Sequence, residues 1–181
     1  MNKKESVVAT NENTEFKTIS ILLTKHFDLF SRILQFFIGG EYTHASIGIS
    51  DDNHTFFSFN TKRGFCIEKP MKKKRMNPCV LYQIQVPAQS YDDIVTRIDD
   101  FRNHTHRYKY SFIGVLLCVL HIPIHIENRY FCSQFVSELL TISGATKLKK
   151  DSTLYLPNHF SNEPQFTLTY EGALCGLGEA A

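Results

Sequence analysis

Residues 130–140 read YFCSQFVSELL and place one cysteine at the start of a predicted amphipathic helix. The apolar positions that recur at the three-and-four spacing of one helical face are Phe135, Val136, Leu139 and Leu140. Cys132 falls on the same face, so its sulfur is predicted to point toward whatever the helix packs against. The free N–H groups and the positive dipole end at a helix start favour a thiolate. A nucleophile is therefore indicated, although a cysteine taken alone is more often an inert core residue.

A histidine far upstream offers the base that such a cysteine needs. Residues 42–49, YTHASIGI, alternate β-forming and small residues with a period of two, which predicts a strand. His44 lies on the polar face of this strand, opposite Ala45 and Ile47. A lone histidine is usually solvated or locally bonded, but together with Cys132 it completes a thiol–imidazole pair.

Together these two blocks resemble the permuted branch of the NlpC-type papain-like thiol hydrolases. In that branch the histidine strand precedes the cysteine helix, which is the order of His44 and Cys132 in this chain. The resemblance covers roughly residues 18–145 and extends to small proteins of Gram-positive bacteria. It implies an α+β fold in which an antiparallel sheet or partial barrel packs on a helix bearing the cysteine at its N-terminus. It also implies thiol chemistry on an amide or an ester.

The resemblance further implies that a polar group on the strand after the histidine orients the imidazole, as a base histidine requires. Counting across the predicted hairpin, whose second strand covers residues 55–60, gives Ser58 first and Asn60 on the same face. Glu68, in the next strand-like piece, is a third candidate. We take Ser58 as the first choice and leave Asn60 and Glu68 as alternatives, and each is also typical of a solvent-facing strand residue.

The length and composition set limits on the class of protein. At 181 residues the chain suits one domain, which we place at residues 17–171 between a flexible tail at 1–16 and a loose tail at 172–181. The formal net charge of +2 gives no reason to expect nucleic acid as a partner. Five cysteines without paired short spacings predict neither a disulfide framework nor a zinc ribbon, and no cofactor or metal is predicted.

Two features bear on the compartment. The N-terminus has no secretory signal and the chain has no run long enough for a transmembrane helix, so a cytoplasmic protein is predicted. The nearly charge-free segment at residues 111–124 is too short for a bilayer. We predict a buried helix there, with contact at a membrane surface as the alternative.

These observations predict a cysteine-dependent hydrolase. Cys132 would attack the carbonyl carbon of a small-molecule, peptide or lipid amide, and His44 would complete the ion pair. An amidase or peptidase acting on cell-wall peptide, or on a lipid or γ-glutamyl amide, fits the resemblance. The alternatives are a catalytically weak ligand-binding domain of the same fold and a lipid acyltransferase. The sequence leaves the substrate and the oligomeric state open.

Overall fold

A computed structural model describes residues 15–26, 39–49, 55–70 and 76–179. The strands in these residues are β1 (Phe16–Thr24), β2 (His44–Gly48), β3 (Phe56–Asn60), β4 (Gly64–Glu68), β5 (Pro78–Pro87), β6 (Lys109–Tyr110), β7 (Arg129–Tyr130) and β8 (Thr167–Ala173). The α-helices in the same residues are α1 (Ala88–Asn103), α2 (Phe112–Val119) and α3 (Cys132–Ile142). The tail predicted at residues 1–16 lies almost entirely outside the described residues.

The described strands form an α+β architecture around one large antiparallel sheet. Six strands pair in the order β4-β3-β2-β1-β5-β8, and β6 and β7 form a separate parallel pair. Strand β1 lies in the centre of the large sheet and pairs with β2 on one side and β5 on the other. The prediction of an α+β fold with an antiparallel sheet is confirmed.

Helix α3 packs against β2 and β3 and carries the central part of the core. Its four predicted apolar positions are all at most 3% exposed, which confirms the helical face. The Phe135 ring lies 5.1 Å from the rings of both Phe59 and Phe101. Burying side chains of this size stabilises the fold by roughly 1.5–3 kcal/mol each, so this packing fixes the start of α3 relative to the sheet.

The C-terminal end differs from the prediction of a loose tail at residues 172–181. Strand β8 continues to Ala173 along β5, and a 3₁₀ helix follows at Leu174–Glu179. Leu174 and Leu177 are buried in a second apolar cluster against the sheet, with Leu22 and Phe56. The reason is that two leucines among small residues supply enough apolar surface to hold this segment on the sheet.

Helix α2 also differs from the prediction of a buried helix. Only Gly114, Val115 and Cys118 face the core, whereas the opposite side of the helix is exposed. A charge-free sequence does not itself distinguish a buried helix from one with a bare apolar face.

Candidate active site

Cys132 is the first residue of α3, as predicted. Phe131 is the N-cap, in an extended conformation, and the first intrahelical hydrogen bond runs from the Phe135 N–H to the Phe131 carbonyl. The N–H groups of the preceding turn therefore have no helical acceptor. One of them, the N–H of Ser133, donates to the Cys132 sulfur. The side chain of Cys132 is buried, with the whole residue 5% exposed.

His44 is the first residue of β2 and meets the cysteine from the sheet side. It pairs with Thr24 of β1 and is 7% exposed. The imidazole is hydrogen-bonded to the Cys132 thiol, and its Nε2 lies 2.9 Å from Glu68 Oε1. Since Nε2 is occupied by the carboxylate, Nδ1 is the ring nitrogen left for the sulfur. The structure thus brings together the two residues of the predicted pair.

The residue that orients the histidine is Glu68, the third of the three candidates. Ser58, the first choice from the sequence, donates its hydroxyl proton to the Ala45 carbonyl at 2.6 Å. Asn60 accepts from the N–H groups that follow it in the β3–β4 turn. We therefore assign the orienting contact to Glu68 in place of Ser58.

Sheet order explains why counting across one hairpin selects Ser58. Strand β3 lies between β2 and β4, so the contact from Glu68 to His44 crosses a whole strand. Ser58 pairs in register with Cys66, two residues from Glu68, on the same face of the sheet. A small side chain on β3 leaves space for the longer carboxylate to cross. A contact that crosses a whole strand depends on the curvature of the sheet, and the alternation of residues along a strand does not predict that curvature.

Ser58 has a structural task at the place where β2 meets the cysteine. Both polar groups of the Ala45 backbone bond to side chains: its carbonyl accepts from the Ser58 hydroxyl and its N–H donates to the Cys132 sulfur. The serine hydroxyl thus satisfies a carbonyl that would otherwise be unpaired in a buried position.

The electrostatics of the site favour a charge-separated pair. Burial alone raises the pKa of the Cys132 thiol, but the hydrogen bond and charge of His44, together with two backbone N–H groups, outweigh it and hold the pKa below the ordinary value of 9.0. Burial lowers the pKa of His44, yet the Glu68 carboxylate and Cys132 raise it well above 6.5. Burial raises the pKa of Glu68, and the His44 charge more than reverses this.

The other buried cysteines behave differently. Burial raises the pKa of Cys79 to about 11 and that of Cys118 to about 12. Burial also raises the pKa of Cys66, whose sulfur donates to the Ser58 carbonyl at 3.4 Å and lies 3.7 Å from Glu68 Oε1. All five cysteines are free thiols. Cys132 is therefore the buried cysteine whose surroundings favour the thiolate.

His26 belongs to the site and was missed in the sequence. Its ring centroid lies 4.8 Å from that of His44, and its positive form would lower the pKa of Glu68 further. The backbone N–H of His26 donates to the Thr43 hydroxyl at 2.9 Å. No signal in the sequence shows this contact, because it depends on the pairing of Thr24 with His44, which brings the residues that follow β1 beside the start of β2.

In the described part of the chain the buried hydroxyls of Thr24 and Ser133 make no hydrogen bond, and the Ser46 hydroxyl interacts with Glu68 and helps to lower the pKa of that carboxyl. Each lies next to the site, since Thr24 pairs with His44, Ser46 is two residues along β2, and Ser133 follows Cys132. Buried polar groups are nearly always paired in folded proteins. Their concentration beside Cys132 and His44 is consistent with a reactive site in this region.

Comparison of the chain with profiles of known protein families gives no match, and no curated protein is significantly similar to it. Among the residues that the structure describes, no group of three or more His, Cys, Asp and Glu side chains is arranged to hold a metal ion. None of the described helices is both long and apolar enough to cross a bilayer.

Proposed function

We propose that this protein is a cysteine-dependent hydrolase of amides or esters, with Cys132 as nucleophile, His44 as acid–base and Glu68 as the orienting carboxylate. The observation that carries the proposal is the His44 imidazole, which is hydrogen-bonded to the Cys132 thiol and has its other nitrogen 2.9 Å from Glu68. A histidine held between a carboxylate and a nucleophile is the working unit of thiol and serine hydrolases. The proposal includes a permuted papain-like fold, which is supported by the chain order of histidine strand and cysteine helix.

The chemistry follows from the positions of these groups. The Cys132 thiolate attacks the carbonyl carbon, and the His44 imidazolium gives its proton to the leaving amine or alkoxide as the bond to carbon breaks. A thioester remains on Cys132. Water then attacks the thioester while His44 accepts its proton, and release of the acid restores the thiolate–imidazolium pair. Backbone N–H groups in the first turn of α3, that of Cys132 itself among them, would stabilise the oxyanion in both steps.

The electrostatics distinguish this proposal from a catalytically weak binding domain. A domain that only binds ligand gains nothing from a thiol whose pKa is held down by two backbone N–H groups and a buried imidazole. Perturbed pKa values and convergent polar groups are typical of reactive sites. The substrate classes that fit are peptide amides and lipid amides or esters. An acyltransferase would use the same thioester with an amine or alcohol in place of water.

The test is acylation by p-nitrophenyl acetate, followed by mass spectrometry of the intact protein. Wild type should show a burst of nitrophenol, one acetyl group on Cys132, and slower turnover. Cys132→Ala should lose the burst, whereas Cys118→Ala, a matched buried cysteine at 3% exposure, should keep it. His44→Ala should fold and lose both phases. A burst of equal size in Cys132→Ala would remove the nucleophile assignment, and a stable thioester that never turns over would favour the binding domain.

A further inference from the structure

One side of α2 and the segment that follows it form a continuous apolar surface. The exposed large apolar side chains of this surface are Phe112, Ile113, Leu116, Leu120, Ile122 and Ile124. They are more than half of the exposed large apolar residues in the described chain, and Ile113 alone is 63% exposed. Soluble domains rarely concentrate bare apolar side chains in this way unless the surface binds something.

The core fixes the orientation of this surface. Gly114, Val115 and Cys118 are buried on the inner side of α2, and a Cβ on Gly114 would lie 3.4 Å from the Phe131 ring. The Ser111 hydroxyl accepts from the Gly114 N–H and caps the helix. Because the inner side is held by these contacts, the helix cannot turn its outer side inward.

The end of α2 keeps the last two isoleucines beside the helix. His121 has a left-handed backbone, with φ of 59°, and its N–H donates to the Cys118 carbonyl. The N–H of Ile122 donates back to the Leu117 carbonyl at 2.9 Å. These two bonds are the Schellman arrangement that closes a helix. They turn the chain back, so Ile122 and Ile124 extend the apolar surface of α2.

The charges around this surface are predominantly positive, and the one exposed anion in the flanking segments is Glu127, beside Arg129. Between Asp100 and Glu127 the chain has no acidic residue. Arg107 and Lys109 are exposed just before α2, and Arg129 is exposed just after the apolar segment. Lys109 and Arg129 are partners in the β6–β7 register, so these two cations lie side by side at the base of the surface.

We infer that this surface docks onto an anionic lipid bilayer. Apolar side chains with flanking cations match the acyl region and the negative headgroups of such a membrane. Self-association through the same face would bring like charges together, which disfavours a second copy. Helix α2 has eight residues and is about 12 Å long, against about 30 Å for a hydrocarbon core. It therefore lies in the interface and does not span.

Helix α2, which carries this surface, also contacts the residues around Cys132. The Ser111 N–H donates to the Tyr130 carbonyl, two residues before Cys132, and Cys118 on the inner side of α2 lies close enough to interact electrostatically with the Cys132 thiol. Docking would hold the site at the membrane, which points to lipid-borne amides or esters as substrates. This last step rests on the proposed function, whereas docking itself does not.

The test is co-sedimentation of the full chain with phosphatidylcholine vesicles that either contain or lack phosphatidylglycerol. Wild type should bind the anionic vesicles and release in high salt. Leu116→Ser/Leu120→Ser should lower partitioning by about tenfold or more. Lys109→Gln/Arg129→Gln should lower it by about tenfold on anionic vesicles only. The matched control is Leu168→Ser, which removes a 48% exposed leucine on β8 and should bind like wild type.

Circular dichroism of each variant verifies folding, and Cys132→Ala should bind vesicles like wild type. A failure of catalysis is thereby separated from a failure of docking. Absence of wild-type binding to anionic vesicles would overturn the inference. So would equal losses in Leu168→Ser and the α2 leucine variant, or a concentration-dependent dimer that only the α2 leucine variant abolishes.

Discussion

Replacing Glu68 with glutamine tests the centre of the proposed site, because it removes the charge and keeps the shape. The Glu68 carboxylate lies 2.9 Å from His44 Nε2. Two opposite charges about 4 Å apart attract by about 4 kcal/mol at an effective dielectric constant of about 20. The Glu68 side chain is 26% exposed, so solvent screens part of this attraction and we expect a net loss of about 2 kcal/mol. That energy corresponds to about a 30-fold smaller population of the thiolate–imidazolium pair.

The assay is the rate of Cys132 alkylation by iodoacetamide as a function of pH. Glu68→Gln should react about 30-fold more slowly near neutral pH, and the acid limb of its profile should move to higher pH because a less stable imidazolium raises the pKa of Cys132. The control is Glu163→Gln, since Glu163 is another buried carboxylate, 2.5 Å from the Tyr155 hydroxyl. That variant should lose stability and keep the wild-type profile. If Glu68→Gln reacts at the wild-type rate and its acid limb lies at the wild-type pH, this reasoning is refuted.

The same variant should change how stability depends on pH. The contribution of Glu68, whose pKa is lowered by folding, is complete above the ordinary value of 4.5 and is lost as pH falls through the folded-state pKa. The contribution of His44, whose pKa is raised, is complete below 6.5 and is lost as pH rises through the folded-state pKa. The Tm difference between wild type and Glu68→Gln should therefore be largest between pH 4.5 and 6.5. A difference independent of pH would contradict this.

Two further substitutions test the surroundings of the site. Ser58→Ala should destabilise the fold by about 1–3 kcal/mol in urea titrations, because a buried carbonyl loses its donor, and should leave the pH profile of alkylation in place; a displaced profile would return the orienting role to Ser58. Gly64→Ala should be much more destabilising than Gly39→Ala. Both glycines have positive φ, but a Cβ at Gly64 would lie 2.5 Å from a backbone carbonyl, whereas Gly39 has open space. Equal losses would show that the close approach carries no cost.

The pattern of residues was sufficient to predict the α+β fold with its antiparallel sheet and to predict that Cys132 and His44 lie together. The α3 face follows from its 3.6-residue period, and the strand around His44 follows from its period of two. Each pattern depends only on which face of a single helix or strand is buried, so it can be read from a short stretch of sequence. The exposed side of α2 and the packed C-terminal leucines were predicted wrongly, because apolar content alone does not tell which surfaces are covered.

Residue patterns of this kind do not predict Glu68 as the residue that contacts His44. Hairpin counting assumes contact between adjacent strands, and Ser58 is the adjacent choice. The contact from Glu68 passes over β3 and depends on side-chain length and on the small residues in between. His26 was missed for a related reason, since it approaches His44 through the pairing of β1 with β2 over a large sequence separation.

The groups that lower the pKa of Cys132 come from His44, Ala45 and Ser133, and two of the three are far from the cysteine in sequence. Unfolding separates them, so the thiol then returns to ordinary reactivity. Unfolding has the opposite effect on Cys79 and Cys118, whose burial suppresses their thiolates. We therefore expect alkylation at Cys132 in mildly acidic solution to be fast only in the native state, so that it reports whether the fold is intact. The denaturant concentration at which this fast alkylation disappears would show where strand β2 separates from helix α3, without any added label.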